Sequence, residues 1–218
     1  MHRRRRTALS VSVALLAAAP LLTACGNDAH PGAAAVVGGH RIEVSTIQAQ
    51  VRDVRDAQEA APDGAQLVKN TGQLSQAKLN SLIFDRILQQ AADEAGVKIS
   101  RKEIQTTRQQ AAAQSGGEQQ FATMLLQQGA LSAGQIDAAI RREVLLNKLA
   151  QALGANTMTP EGQQTVLADL TKTSEKLGID VNPRYGSWDY KQVRLGESKL
   201  PWITQVTRQA PEQQPSGA

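Results

Sequence analysis

One cysteine, three histidines and six aromatic side chains are all that this chain of 218 residues contains. The single cysteine excludes an internal disulfide framework and any Cys-rich zinc site. Six rings offer little on which bases could stack. The formal net charge is +4, from 24 Lys plus Arg against 20 Asp plus Glu. Four of the 24 are Arg3, Arg4, Arg5 and Arg6, and no acid precedes Asp28, so the rest of the chain sets 20 basic residues against 20 acidic ones. A balanced chain has no electrostatic footprint for phosphate, and a nucleic-acid partner is set aside.

The histidines are scattered as well as few. His2 lies at the start, His30 in a Gly/Pro/Ala stretch and His40 beside a Gly-Gly pair. General acid–base or triad chemistry has only His40 to draw on, and no positioned nucleophile accompanies it. Metal sites want several His, Cys or clustered carboxylates at fixed spacing, and Asp93-Glu94 reads as a solvated helix end. No G-x-G-x-x-G and no G-x-x-x-x-G-K-[ST] occurs, and Gly116-Gly117 reads as a helix break. Asp53 and Asp56 alternate with Arg52 and Arg55, the pattern of an exposed helix face. No catalytic residue, metal ligand or non-covalent cofactor is expected.

What is present begins at the N-terminus. Arg3 to Arg6 form a positive region, and Leu9 to Leu22 an apolar run broken by Ser10, Ser12 and Pro20. That is the layout of a secretory signal, too short to serve comfortably as a permanent membrane span. The adjacent arginines match the wider twin-arginine consensus poorly, so the export route stays open. Leu22-Thr23-Ala24-Cys25 resembles the lipobox of bacterial lipoproteins. That resemblance implies cleavage after residue 24, a covalent diacylglycerol on Cys25 and a home on the outer face of the cell membrane; two acyl chains anchor stably where one holds marginally. A soluble secreted protein with a chance cysteine is the alternative. Residues 25–34 then read as the lipidated Cys and a flexible tether of small and polar residues.

The remainder reads as mainly α: a bundle of about six helices with a small β element pairing N- and C-terminal segments. Ala35-Val36-Val37, Gly38-Gly39 and His40 to Glu43 predict a hairpin, because Gly-Gly supplies the positive φ angles of a tight turn. Helices are expected at about 45–60, 73–95, 100–115, 118–128, 132–153 and 160–177. Ser45 with Gln48, Ser100 with Glu103 and Ser132 with Gln135 have capping-box spacing, and Thr159 before Pro160 fits an N-cap. Gly96, Gly129, Gly154 and Gly178 stand where helices should stop.

Leu79, Leu82, Ile83, Phe84, Ile87, Leu88, Ala91, Ala92 and Ala95 cover over half the circumference of the second helix, which predicts packing on two sides. Ile136, Ala139, Ile140, Val144, Leu145, Leu149 and Leu153 give the fifth helix a broad apolar face. The third helix is mostly Gln, Thr and Ala and should be peripheral. Beyond Gly178, Ile179–Val181 and Trp188–Leu195 look extended around an Asn182–Gly186 turn. Residues 206–218 read as a disordered tail.

Three features in order resemble one family. They are the lipobox, the opening Ala35-Val36-Val37-Gly38-Gly39-His40-Arg41-Ile42 before a helix, and the closing Val181-Asn182-Pro183-Arg184-Tyr185-Gly186-Ser187-Trp188-Asp189. Together they resemble the N-terminal chaperone domain of SurA- and PrsA-like export foldases over residues 35–195 of a domain placed at 35–205. Gly38 stands where the family usually has Asn. Full foldases carry a parvulin isomerase domain of about a hundred residues before the closing strand, and between Thr159 and Val181 there is room only for one helix.

The resemblance therefore implies a chaperone or holdase for unfolded exported proteins, without isomerase activity. A cradle for such clients needs partly exposed apolar side chains, and Phe121, Met124 and Leu125 are the candidates. The same three residues could instead cap the bundle core. Two other functions stay open: a lipoprotein docking one specific envelope partner, and an isomerase without a recognisable parvulin domain. Tyr185, Trp188 and Tyr190 are expected to pin the closing strand to the bundle.

Overall fold

The computed structural model describes residues 32–196. The signal segment, Cys25, the tether up to residue 31 and the 206–218 tail lie outside the described residues. Among the described residues the order is β1 (Ala33–Val37), β2 (His40–Glu43), α1 (Val44–Glu59), α2 (Gly64–Asn70), α3 (Leu74–Glu94), α4 (Arg101–Gln114), α5 (Glu118–Gly129), α6 (Ile136–Ala152), α7 (Pro160–Leu177), β3 (Ile179–Val181), β4 (Ser187–Asp189) and β5 (Arg194–Gly196). The domain is mainly α, and its small sheets come from the two ends of the described chain.

The hairpin forms where the Gly-Gly pair predicts it. Gly38 and Gly39 have φ of 57° and 76°, and β1 pairs antiparallel with β2. A Cβ on Gly38 would sit 2.7 Å from Leu177 Cδ2, because the turn packs on the end of α7. The strand opens at Ala33, earlier than expected. Ala33 and Ala34 are buried, so the last two residues assigned to the tether belong to the sheet. Their small side chains let β1 lie close to α3.

β1 is the middle strand of a sheet ordered β2-β1-β3, with Ala35 opposite Val181 and Val37 opposite Ile179. The Asn182 amide N–H extends this zipper by donating to the Ala34 carbonyl at 3.0 Å. The expected single extended run Trp188–Leu195 is instead a hairpin, β4 pairing with β5. Asp189 Oδ1 accepts from the amides of Lys191 (3.0 Å) and Gln192 (3.1 Å), which bends the chain back.

α3 is the central helix and touches α1, α6, α7, β1, β2 and β5. Leu79, Ile83, Ile87 and Leu88 are buried on it, as the wide apolar face requires. They share one core with Ile47, Leu145, Leu149, Leu170, Val37 and Trp188. Trp188 is 8% exposed, while Tyr185 and Tyr190 pack against this core. The Tyr190 hydroxyl accepts from the Ile179 amide at 2.9 Å and so ties the closing turn to β3.

Two of the four predicted caps form. Ser100 Oγ accepts from Glu103 N while Glu103 reaches back to Ser100 N, a complete capping box, and Thr159 accepts from Gly162 N. Ser45 does not cap, because α1 starts one residue earlier behind Glu43. Ser132 Oγ makes no cap bond either, and its expected partner Gln135 is turned to other groups. Gly129 is the last residue of α5, and the left-handed stop falls on Ala130 with φ of 47°.

One helix was not expected. α2 is too short and too poor in apolar residues to announce itself, and Arg55 holds it in place. The guanidinium donates to the carbonyls of Val68 (3.1 Å) and Thr71 (2.8 Å) at the end of α2. Arg55 is thus half-buried and structural, which corrects its reading as part of a solvated face; Arg52, Asp53 and Asp56 are exposed as expected.

Candidate functional site

α4 and α5 form a helical hairpin, here called the arm, that packs on α6 through α4 and touches α1 through α5. Gly116 and Gly117, with φ of 86° and 116°, break the two helices apart as their sequence suggests. The arm and the first turns of α6 share a second apolar cluster, built from Ala112, Phe121, Ile136 and Ile140, with Ile104, Met124, Leu125 and Val144 packed on it. α4 is peripheral, with Ala112 its one buried residue.

The three candidate residues share α5 and this cluster but not the same exposure. Phe121 is 4% exposed and faces the cluster interior, so it is not a surface on which a client could land directly. Its large apolar ring, next to the small Ala112, is what fills the space between α5 and α6. Met124 and Leu125 are half-buried on the cluster's edge. Met124 also borders a shallow depression of about 450 Å³ along α5, where its neighbours Gln119, Gln120, Thr123 and Gln127 are polar.

A second depression of about 510 Å³ runs between α4 and α6, with Glu103, Thr107, Val144, Asn147 and Lys148 among its walls. Val144 is its large apolar contact; the rest are hydroxyl, amide and charged groups. Lys148 Nζ bridges the groove edge, donating to Glu103 Oε1 at 2.6 Å and to the Lys98 carbonyl at 2.7 Å. Those contacts, with the Ser100 amide and hydroxyl, hold the Glu103 carboxyl down at about 2, the Lys148 hydrogen bond weighing most. This groove was not anticipated from sequence, since its residues are ordinary solvated types until α4 and α6 are placed side by side.

Arg108 braces the arm. It pairs with Glu118 at the start of α5 and, at 2.6 Å, with Asp137 in the first turn of α6. Both carboxylates sit at helix N-termini, where negative charge is favoured. His40 is exposed at the hairpin edge, and Glu94 accepts from Lys176 Nζ at 2.7 Å, as a solvated helix end does. Among the described residues no group of three or more His, Cys, Asp or Glu is arranged to hold a metal, and no helix is long and apolar enough to cross a membrane.

A family model described as the SurA-like N-terminal domain matches residues 1–150. The chain belongs to this family. The SurA-like match runs from the first residue into the last turns of α6, so it takes in the opening hairpin, α3 and the whole arm. The closing segment 181–189, read above as part of the same resemblance, lies beyond the matched stretch; its pairing with β1 comes from the structure. No parvulin domain is matched, and α7 alone fills the interval between α6 and β3. The SurA-like domain is a chaperone-type domain and not a catalytic one. No curated protein and no solved structure matches the chain.

Proposed function

We propose that the chain is a lipid-anchored holdase that keeps unfolded exported proteins from aggregating at the outer face of the cell membrane. Membership of the SurA-like family is the observation that carries this reading. The positive leader, the apolar run and the lipobox-like Leu22-Thr23-Ala24-Cys25 support export and a diacylglycerol anchor at Cys25, which puts the domain where newly exported chains emerge. Clients engage the arm. Met124 and Leu125 offer a pliant thioether and a branched side chain over Phe121, and the neighbouring amides and hydroxyls satisfy the backbone of an extended segment. Weak, many-partner binding suits a surface of this mixed kind.

The test mixes a soluble form beginning at Gly26 with a denatured, aggregation-prone client and follows light scattering. Suppression at several-fold excess is the expected result, and none at that excess refutes the reading. The anchor is tested separately: Cys25→Ala should abolish lipid labelling and release the protein from the membrane fraction.

A specific observation favours a second reading. Among the described residues only Met158, in the α6–α7 loop, is an exposed large hydrophobic. A surface without a broad apolar patch also suits a lipoprotein that docks one envelope partner. Capture of a single stoichiometric partner, with no effect on aggregation, would establish that alternative.

A further inference from the structure

The junction between α5 and α6 contains a buried lysine with no acid beside it. Lys78, on α3, is 5% exposed, and its Nζ donates to the Ala130 carbonyl at 2.8 Å and to Gln135 Oε1 at 2.6 Å. Gln135 Nε2 in turn donates to the Gln50 carbonyl of α1 at 2.9 Å. Neither hydrogen-bond partner of Nζ is a carboxylate. Ala130 is the left-handed residue that ends α5, so its carbonyl lies at the partly negative end of that helix. The end of α5 therefore takes the place of a counter-ion, and one ammonium group joins three helices.

The tie lies where α5 meets the body: the second apolar cluster joins α5 to α4 and to Ile136 and Ile140 of α6, while α5 otherwise reaches the body at α1. Among the described residues the other hydrogen bond from α5 to the body is the exposed Gln127 Nε2 donating to Asp63 Oδ2 at 3.3 Å.

We propose that Lys78 is the latch that holds the α5–α6 junction against α3 and, through Gln135, against α1. Burial among neutral partners disfavours the charged form of Lys78 relative to the neutral amine. Burial first, and then the Arg142 charge, lower the Lys78 amine to about 8. Arg142 is the charged group that α6 turns toward it, and it is itself held by Asp85 of α3 at 2.5 and 2.8 Å. The groups supplied by the α5–α6 turn and, through Gln135, by α1 are uncharged. A neutral amine keeps two N–H donors for Ala130 and Gln135 and sheds the desolvation cost. The latch is therefore looser when Lys78 is protonated and tighter when it is not.

The inference does not rest on the holdase reading, and its test contains no client. Millisecond hydrogen exchange on the full chain in detergent micelles compares residues 118–135 with residues 83–92 of α3. At neutral pH, Lys78→Met should lower protection of 118–135 by about tenfold relative to 83–92, because two half-buried acceptors lose their donor. Equal loss in both stretches, or none in either, overturns the proposal. If that variant does not fold, the wild-type chain decides alone: the ratio of arm to body protection should rise as pH climbs through about 8, and a flat ratio overturns the latch.

Discussion

Arg55 Nη2 donates to the Thr71 carbonyl at 2.8 Å, sixteen residues away, while Nη1 donates to Thr71 Oγ1 at 2.6 Å and to Gln58 Oε1 at 2.8 Å. One guanidinium thus closes α2 and satisfies the side chain of the fully buried Gln58. Arg55→Met should cost about 2–3 kcal/mol, because a charged donor is lost and buried acceptors are left unpaired. Urea unfolding checks this, and a loss under about 0.5 kcal/mol would show the cap to be dispensable.

Trp188 separates packing from hydrogen bonding. The residue is in the main core, yet its Nε1 has no partner among the described residues. Trp188→Ala should cost about 3–5 kcal/mol through the cavity left behind, while Trp188→Phe should cost much less, since no hydrogen bond is given up. Equal costs for the two variants, read from denaturant midpoints, would contradict the assignment.

Two groups make stability rise with pH, in separate windows. The Glu103 carboxyl lies at about 2 in the fold, below its ordinary 4.5, so its stabilising contribution is present above pH 4.5 and is lost as pH falls toward 2. Lys78 behaves in the reverse way to a paired lysine. Its folded value of about 8 is below the ordinary 10.5, so the unfolded chain binds more protons between those values and stability rises with pH across that window. Melting curves of Glu103→Gln should lose the acid slope, and those of Lys78→Met the alkaline rise.

Met124 and Leu125 can be probed without emptying the core, since both are half-buried at its edge. The double substitution Met124→Ser, Leu125→Ser should weaken suppression of client aggregation by several-fold while the circular dichroism spectrum stays native. Phe121→Ala is the contrasting case: it removes a buried ring and should cost about 3–5 kcal/mol in stability. An unchanged aggregation curve for the double variant would move the client surface off α5.

Much of the architecture was legible because it rests on local rules. The Gly38-Gly39 turn, the Ser100–Glu103 box, the Thr159-Pro160 start and the wide apolar face of α3 each follow from neighbouring residues alone. The candidate surface was legible only as composition: Phe121, Met124 and Leu125 stand out in a chain with few rings and thioethers, but nothing in their spacing says which one is covered. The groove between α4 and α6 gave no signal, because Thr107, Asn147 and Lys148 belong together only after two helices meet.

By itself the sequence determined six of the seven helices described, two of their caps, the opening hairpin and the balance of charge, since propensity, capping and periodicity act within a few residues. Tertiary structure decided where side chains with several possible partners went. Gln135 left Ser132 uncapped to join Lys78 and Gln50, Arg55 left the solvent to close α2, and Phe121 went inward while Met124 stayed at the edge. The reason is energetic: a cap or an exposed ion pair is worth about 1 kcal/mol, and an unpaired buried donor or acceptor costs as much or more. Long-range partners therefore outbid local ones at Gln135 and Arg55, whereas Ser132 Oγ and Trp188 Nε1 are buried with no partner among the described residues.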